Sequence, residues 1–334
     1  MTAGAQPLPP EFPPVRWAVL GTANIARWNF LPALGRANGE VVAIGSRRLE
    51  SARAFAAANQ LRAEPCSYSE AIARPDVDAV YVALPNSLHR QWTRAALEQK
   101  RVVLCEKPLG STPAEVEELV RVASSGGRPL FEAFAFPFHD QWRFVAELIA
   151  AGEIGELREI QSNFHFLVRD PANIRWDPGL AGGVLNDVGC YPIHLARLLF
   201  ATEPAAARAV IRTGGLGVDA ECQAILDFGE GRRLAFSCGL QRRRDTATRL
   251  LGTEGEIRLS DPFHPTAADE VTVTSGGRSQ THRLMPDEPT FAPMLRSINA
   301  ALAGVHEAEH LATTESLGTA RALDLVRSSF VEWP

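Results

Sequence analysis

The sequence predicts an α/β protein. Its N-terminal part is predicted to be a doubly wound parallel sheet, and its C-terminal part an α+β domain with a large, mostly antiparallel sheet. Three observations predict this fold. Strand-like apolar runs alternate with helical stretches through residues 15–131. The run 78–84 is apolar almost throughout, as in strands buried on both faces of a parallel sheet. At 334 residues the chain has about twice the usual length of one domain.

The first part of the chain is predicted to alternate strictly between strands and helices. The predicted strands cover residues 15–20, 41–45, 78–84 and 101–105. A helical stretch with Trp28, Leu31 and Leu34 follows the first strand, and helices at about 49–59, 89–99 and 113–124 follow the others. This order assigns residues 15–131 to one domain.

Beyond residue 131 strand-like runs follow one another. Two helical segments, about 140–150 and 182–200, bracket a strand at 157–168. Further strand-like runs cover residues 209–212, 222–228, 234–239, 246–252 and 271–274, and the Gly-rich, charged segment 226–232 predicts a hairpin turn. Helices at about 292–303 and 315–330 end the chain. We assign residues 132–334 to a second domain and allow its C-terminal helix to pack back on the first.

Composition limits the class of protein. A formal net charge of −5 argues against nucleic-acid binding, and no apolar stretch is long enough to span a bilayer. The five cysteines are widely spaced without a Cys-x-x-Cys pair, which predicts buried thiols in a reducing compartment and no metal site. Residues 1–14 are rich in Pro and Ala and predict a disordered tail instead of a secretory signal. We therefore expect a cytoplasmic protein.

The turn after the first strand predicts a dinucleotide site. A Gly-x-Gly-x-x-Gly turn between a first strand and its helix points backbone N–H groups at a pyrophosphate. This chain keeps one glycine of the three, but the string lies in the first β-α turn of a correctly alternating sequence. A tight structural turn is the alternative. We expect a Rossmann domain whose phosphate loop contains Gly21, Thr22, Ala23, Asn24 and Ile25.

The end of the second strand favours NADP over NAD. NAD sites carry an acidic residue here for the ribose 2′-hydroxyl, whereas an arginine suits the 2′-phosphate of NADP. The chain reads Ser46-Arg47-Arg48, with no carboxylate before Glu50. Either arginine can form a bidentate pair with a phosphate and stack on the adenine. A solvated arginine pair at the start of a surface helix is the alternative.

Lys107 is a candidate for a chemical role. It is one of two lysines among 34 basic residues, and it directly follows the apolar run that ends at Cys105. Unlike arginine, lysine can lose its proton when its surroundings shift its pKa. Open α/β sheets bind their ligands at the carboxyl ends of strands, which is where Lys107 is expected. A solvated loop lysine is the alternative.

Six strings in order resemble the glucose-fructose oxidoreductase/inositol dehydrogenase/MocA (Gfo/Idh/MocA) superfamily. Within it the chain looks most like NADP-dependent aldose (xylose or glucose) dehydrogenases and trans-dihydrodiol dehydrogenases. The strings are residues 21–26, Pro85-Asn86-Ser87-Leu88-His89, Glu106-Lys107-Pro108, Glu132-Ala133-Phe134, Asn173-Ile174-Arg175 and residues 182–194. The resemblance implies hydride transfer between NADP and a hydroxyl or carbonyl group of a sugar, polyol or cyclic diol. It also implies a homodimer or a higher homo-oligomer that assembles through the second domain's sheet.

The resemblance implies residue roles as well. Lys107, Asp187 and Tyr191 match the family's active-site lysine and its Asp-x-Gly-x-(Tyr or His) string. Tyrosine has a pKa near ~10, and a neighbouring ammonium favours its ionised form. We expect Tyr191 to exchange the substrate proton, Lys107 to polarise the substrate oxygen, and Asp187 to orient the substrate or the lysine. The implied cofactor contacts beyond the phosphate loop and residues 46–48 are Leu84, Pro85, Asn86, His89, Glu106, Lys107 and Arg175.

His194 follows Asp187 and Tyr191 at positions that would share one face of a regular helix, although Pro192 can kink it. We expect His194 to be structural.

Departures from the family leave the substrate open. Phe136 and Pro137 stand where relatives commonly carry Tyr and Arg, and Asn186 where they often carry a bulky residue. We expect a pocket more apolar or roomier than that of a simple aldose site, which keeps a cyclic dihydrodiol or a modified sugar in contention. Two other classes stay open: a non-catalytic NADP(H) sensor, and a lyase or hydrolase that uses tightly held NAD.

Overall fold

The structure is a computed structural model that describes residues 13–213, 215, 217–284, 288–304 and 313–332. Residues 1–12 of the predicted tail lie outside the described residues. The chain divides into two compact units. Within the described residues, the first unit takes in residues 13–109, 114–138 and 288–304, and the second takes in residues 110–113, 139–284 and 315–332. This division differs from a single boundary after residue 131.

The first unit contains a parallel sheet, and its described strands number six. They are β1 (Val15–Leu20), β2 (Gly39–Gly45), β3 (Glu64–Cys66), β4 (Ala79–Val82), β5 (Val102–Cys105) and β6 (Leu130–Glu132). Their order in the sheet is β3-β2-β1-β4-β5-β6, with parallel pairing throughout. The order reverses between β1 and β4, and such a switch point is where open α/β sheets bind ligands. The predicted Rossmann sheet is confirmed.

Helices connect these strands as the alternation predicts. They are α1 (Leu31–Leu34), α2 (Leu49–Ala58), α3 (Tyr68–Ala73), α4 (His89–Glu98) and α5 (Pro113–Gly126). The sequence did not predict β3, β6 or α3. Each of these elements has six residues or fewer, so its apolar pattern is too short to stand out. In α3 the local signal is a capping box, in which Ser67 and Glu70 bond each other's backbone N–H groups.

The second unit contains a mostly antiparallel sheet of ten strands among the described residues. They are β7 (Leu157–Leu167), β8 (Ala206–Thr213), β9 (Asp219–Asp227), β10 (Arg233–Gly239), β11 (Gln241–Asp245), β12 (Thr248–Gly252), β13 (Gly255–Leu259), β14 (Val271–Ser275), β15 (Arg278–His282) and β16 (Phe330–Glu332). The order is β15-β14-β13-β12-β7-β10-β9-β8-β16, and β11 pairs with β7. Parallel pairing occurs between β7 and β10 and between β8 and β16. The predicted α+β class is confirmed.

Two helices of the second unit are α6 (Asp140–Ala150) and α7 (Cys190–Phe200). Nearly every side chain of α7 is buried, and the helix packs on β7 and β10. The opposite face of the sheet shows the polar alternation of a face without a covering helix: along β9, Gln223 and Ile225 are exposed between buried Cys222, Ala224 and Leu226. The predicted turn 226–232 joins β9 to β10.

The chain ends with α8 (Ala292–Leu302) and α9 (Thr313–Ser328). Helix α8 belongs to the first unit, where Met294, Leu295 and Ile298 join its core. Buried Asn299 accepts a hydrogen bond from Trp17 Nε1 and donates to the carbonyl of Ala37. The predicted helix 315–330 ends at Ser328, because the chain then pairs with β8 as β16. All five cysteines are free and buried.

Candidate active site

Four neighbouring strand ends gather most of the predicted cofactor residues. Gly21 follows β1, residues 46–48 follow β2, residues 84–86 follow β4, and residues 106–107 follow β5. Because these strands are parallel neighbours, their carboxyl ends meet at one edge of the first sheet. The structure therefore brings this predicted group together within the first unit.

Gly21 is required by the close approach of two loops. Its φ is +106°, and a Cβ built on it would overlap the carbonyl oxygen of Ala83. Its backbone N–H donates to the carbonyl of Gly45 over 2.9 Å. Ala26, at the third glycine position of the fingerprint, is fully buried. The turn thus keeps the tight geometry of a phosphate loop although two of its three glycines are alanines.

Arg47 and Arg48 are placed to receive an anionic group. Both are exposed at the end of β2, and neither makes an ion pair with any residue that the structure describes. Ser46 is buried: its N–H donates to Cys66 O, and its Oγ accepts the Arg48 N–H over 3.4 Å. The hydroxyl of Ser46 therefore shapes this turn, and the two guanidinium groups fit a 2′-phosphate.

Lys107 lies in a turn with a buried carboxylate. Glu106 accepts a 2.5 Å hydrogen bond from the Tyr81 hydroxyl, and its N–H donates to Val82 O. The Lys107–Pro108 peptide bond is cis, and Lys107 itself is half-buried. These contacts fix Glu106 and leave Lys107 directly beyond the carboxyl end of β5.

The cofactor contact implied for His89 stays a prediction. The resemblance implies a cofactor contact, but the side chain is 0% exposed, and its two ring nitrogens lie 2.7 Å from Pro108 O and 2.8 Å from Leu84 O. Burial lowers the pKa of His89, whereas the two carbonyl oxygens favour the cation that can donate to both. His89 therefore ties the loop after β4 to the turn that carries Lys107.

The second unit brings together Arg175 and Asp187. Arg175 Nε donates to Asp187 Oδ2 over 2.5 Å, and its guanidinium lies 5.3 Å above the Phe166 ring. Asn173 caps this short turn by accepting the Arg175 N–H. Burial is the largest influence and lowers the pKa of Arg175, but the charge and the hydrogen bond of Asp187, together with the charge of Tyr191, outweigh it and raise the pKa of Arg175. Within this unit Arg175 thus binds and holds the Asp187 carboxylate. Its contact with the cofactor stays a prediction.

Tyr191 lies in an aromatic pocket. The side chain is 7% exposed, and its ring centroid is 5.3 Å from that of Phe164 and 5.1 Å from that of Phe263. Its hydroxyl lies 3.5 Å from Nε2 of His264. Tyr191 therefore has an apolar surrounding with a titratable ring at its polar end.

A π-helical turn at Leu185–Gly189 precedes α7 and carries Asp187. Asp219 caps it, because its Oδ2 accepts the Leu185 N–H over 2.6 Å. Gly183 has φ +100°, and a Cβ there would overlap the Asp219 carboxylate. The predicted regular helix over 182–200 is thus wrong at its start, since a turn with i→i+5 hydrogen bonds changes the spacing of side chains around the axis.

Asn186 and His194 are structural in the second unit. The Asn186 amide donates to Ala181 O and accepts from Arg327, so this buried side chain supports the turn and does not enlarge a pocket. His194 is buried and its Nδ1 lies 2.9 Å from Thr319 Oγ1.

The sequence did not reveal His264, Phe164 or Asp219. His264 and Phe263 lie in the string Asp261-Pro262-Phe263-His264-Pro265, where a histidine between two prolines was the one available signal. Phe164 and Asp219 look like ordinary strand residues. Only the fold places them around Tyr191 and the turn before it.

Among the described residues, no group of three or more His, Cys, Asp or Glu side chains is placed to hold a metal ion. No helix in that part of the chain is both long enough and apolar enough to cross a membrane.

Two family models match the chain. A model for an oxidoreductase family with an NAD-binding Rossmann fold matches residues 15–134, and the GFO/IDH/MocA C-terminal domain model matches residues 142–258.

Known proteins are similar over most of the chain. It is 33% identical over 318 residues to a D-xylose 1-dehydrogenase (NADP(+)) of Haloferax volcanii, which covers 94% of this chain and 96% of the relative. It is 30% identical over 256 residues to a trans-1,2-dihydrobenzene-1,2-diol dehydrogenase of Mus musculus, with 75% and 76% covered.

A solved structure is similar over the whole fold. It is a 3-ketoreductase from Actinomadura kijaniata in complex with NADP and TDP-benzene, with a TM-score of 0.89, 31% identity, and 96% of this chain and 100% of that chain covered. Other solved forms of that ketoreductase carry a tyrosine replaced by phenylalanine, or a lysine replaced by alanine or glutamate.

Proposed function

Because the chain belongs to the GFO/IDH/MocA family of oxidoreductases, we propose that it transfers a hydride between NADP and a hydroxyl or carbonyl group of a sugar, polyol or cyclic diol. The observation that carries this proposal is the edge of the first sheet. There the Gly21 turn, two exposed arginines and Lys107 lie on the carboxyl ends of neighbouring strands. A phosphate loop, a 2′-phosphate site and a polar group for chemistry are the parts that an NADP enzyme needs.

Bound NADP supplies the hydride acceptor in oxidation and the hydride donor in reduction. The protein must then bind the substrate oxygen and move its proton. Lys107 suits the first task, because an ammonium stabilises the negative charge that develops on that oxygen. Lys107 directly follows β5, and its neighbour Glu106 is held by a hydrogen bond from Tyr81. The backbone that carries the ammonium is therefore fixed.

Tyr191 suits the proton transfer. In oxidation its phenolate oxygen accepts the substrate's hydroxyl proton, and in reduction its hydroxyl returns a proton to the carbonyl oxygen. Positive charge from Lys107 and from the oxidised nicotinamide favours the phenolate. The aromatic walls formed by Phe164 and Phe263 keep the ring in one orientation.

Asp187 orients the substrate. Its carboxylate is held by Arg175 on one oxygen, and a carboxylate is the usual acceptor for a sugar or diol hydroxyl. Holding the carboxylate before substrate binds lowers the entropy cost of placing the reacting hydroxyl.

A panel of aldoses, polyols and dihydrodiols, assayed by absorbance with NADP and NAD in parallel, tests the proposed function. We expect turnover with NADP exceeding that with NAD on at least one class of substrate. Retention of tightly bound NAD through purification, with lyase or hydrolase activity, would instead indicate the third class considered for this chain. Binding of NADP without any turnover would indicate a sensor.

We also propose that the protein is cytoplasmic and forms a homodimer. The buried free thiols support a reducing compartment. The face of the second sheet opposite α7 supports self-association: a groove of about 630 Å³ is lined by residues of β7 to β10 and β16. Ile225 and Val331 on this face are 55% and 69% exposed. Two such faces bury these apolar side chains when the sheets of two copies pack together.

The substitution Ile225→Glu tests the dimer. A charge buried between two apolar faces costs several kcal/mol of association free energy, so we expect monomers in analytical ultracentrifugation. Leu49→Glu is the matched control, since Leu49 is also an exposed apolar residue but lies in the first unit. A dimer that persists in Ile225→Glu and dissociates in Leu49→Glu would contradict this interface.

A further inference from the structure

A histidine that the family resemblance does not assign lies at the polar end of Tyr191. His264 Nε2 is 3.5 Å from the Tyr191 hydroxyl, and the two ring centroids are 5.4 Å apart. At 3.5 Å the hydrogen bond is long, but such contacts often shorten when substrate is bound. His264 is half-buried, while the neighbouring Phe263 is buried. The imidazole ring therefore contacts the enclosed phenol of Tyr191 and is itself partly exposed.

The loop that carries His264 is firmly held. Asp261 Oδ1 accepts the backbone N–H groups of Phe263 and His264 over 3.0 and 2.9 Å. The Asp261 carboxylate also pairs with Arg244, and its carbonyl accepts from Gln141 Nε2 over 2.9 Å. Asp261 is 3% exposed, so this anchor is part of the core of the second unit. A side chain on such a loop is positioned by the fold and not by chance contact.

The proton of the Tyr191 hydroxyl requires an acceptor that the flanking aromatic rings do not provide. Phe164 and Phe263 stack on each other and flank Tyr191, and neither can exchange a proton. A phenol with an ordinary pKa near ~10 seldom ionises at neutral pH unless a base takes its proton. Imidazole, with an ordinary pKa near ~6.5, is suited to that step.

We propose that His264 relays the proton between Tyr191 and solvent in the reaction proposed above, on which this inference rests. In oxidation the Tyr191 O–H bond breaks as its proton passes to His264 Nε2, and the phenolate takes the substrate's hydroxyl proton. The substrate's C–H electron pair leaves as hydride to NADP, and the carbonyl forms. The imidazolium then gives its proton to water, so one proton is released per hydride transferred. Reduction runs the same steps backwards.

In this proposal His264 acts only through Tyr191, by accepting and returning its proton. It is therefore a positioning residue and does not need to touch the substrate. The charged groups near the pair are Asp261 with its partner Arg244, which hold the loop, and Asp187 with its partner Arg175, which lies near Tyr191. Each of these two carboxylates is paired with an arginine.

The relay predicts a pH dependence of oxidation. Below the pKa of His264 the imidazolium cannot accept the Tyr191 proton, so kcat falls as the pH decreases through the range in which the imidazole becomes protonated. In His264→Gln the amide can still hydrogen-bond the phenol but cannot carry a proton. We expect kcat for oxidation to fall about tenfold or more, with the acid limb of the pH profile lost, while KM and NADP binding change little.

Chemical rescue and a matched variant separate a relay from a structural role. His264→Ala should regain turnover when imidazole is added to the assay, which a packing defect would not do. His282→Gln is the control, since His282 lies on β15 against Phe144. We expect its pH profile to match that of the wild type.

The outcomes separate this inference from the function on which it rests. If the wild type oxidises a substrate of the panel while His264→Gln keeps the wild-type acid limb and His264→Ala is not rescued, the relay is wrong and the hydride-transfer function stands. If the wild type turns over no sugar, polyol or dihydrodiol with NADP, both are wrong.

Discussion

At the scale of single residues, Lys107 and Tyr191 are the proposed catalytic pair. Both were expected from the sequence, Lys107 by its rarity and place after a strand, and Tyr191 by family resemblance. The structure adds what surrounds each of them. Tyr81 fixes Glu106 beside the lysine, and Phe164, Phe263 and His264 enclose the tyrosine.

The substitutions Lys107→Met and Tyr191→Phe test these roles. Each removes a group that stabilises or protonates the reacting oxygen, so we expect turnover to fall about 10²-fold or more with NADP binding retained. The chain supplies matched controls. Lys100 is the other lysine and is exposed, and Tyr68 packs against Trp92 in the first unit. Lys100→Met and Tyr68→Phe should keep near-normal turnover; equal losses in control and test variants would point to general destabilisation.

We propose that Arg47 and Arg48 determine the choice of NADP over NAD. Removing a charged hydrogen bond costs about 1.5–3 kcal/mol, so Arg47→Ala or Arg48→Ala should weaken NADP binding about tenfold to a hundredfold. NAD lacks the 2′-phosphate and should bind as before. Isothermal titration of each variant with both cofactors measures this, and exposed Arg53 on α2 provides the control Arg53→Ala. An equal loss for NAD and NADP would contradict a 2′-phosphate contact.

The residues around these sites differ in how far the sequence could predict their contacts. Gly21 and the arginine pair could be predicted, because a β-α turn and a strand end are local features. The two hydrogen bonds of His89 to Leu84 O and Pro108 O could not, since they depend on how loops from two strands meet. His264 is 73 residues from Tyr191 along the chain, and no local pattern reports such a contact.

At the scale of elements, a carboxylate from β9 and the amide of Asn186 hold the turn before α7. Asp219 caps Leu185–Gly189 where Asp187 is presented, and Gly183 makes room for it. The sequence predicted a helix here but not its π-helical start, because the phase depends on Asp219 from β9. Replacing Gly183 by alanine should displace this carboxylate and with it the turn.

Burial raises the pKa of Asp219 above its ordinary value. The folded state therefore binds its proton more tightly than the unfolded chain does. The stability from this group is complete at acid pH and is lost as pH rises through the folded pKa. Asparagine keeps the acceptor oxygen without this charge. We expect the wild type to lose stability relative to Asp219→Asn as pH rises from about 4 to 7, measured by chemical denaturation. A wild type that gains on the variant over that range would contradict it.

At the scale of the whole molecule, the two fold classes followed from the order of strands and helices. The alternation to residue 131 predicted the parallel sheet, and the run of strands beyond it predicted the antiparallel one. Short edge elements such as β3 and β16 were missed because three residues carry no readable period. Helix α8 belongs to the first unit through contacts that only the fold creates, such as that of Asn299 with Trp17.

The central claim is NADP-dependent hydride transfer that depends on Lys107. It is tested most directly by following NADP reduction by absorbance in the wild type and in Lys107→Met, over the aldose, polyol and dihydrodiol panel, with NADP binding measured on the same samples. The account predicts turnover by the wild type, its loss in Lys107→Met, and equal NADP binding by both. Equal turnover by the two proteins, or NADP binding without turnover by the wild type, would contradict it.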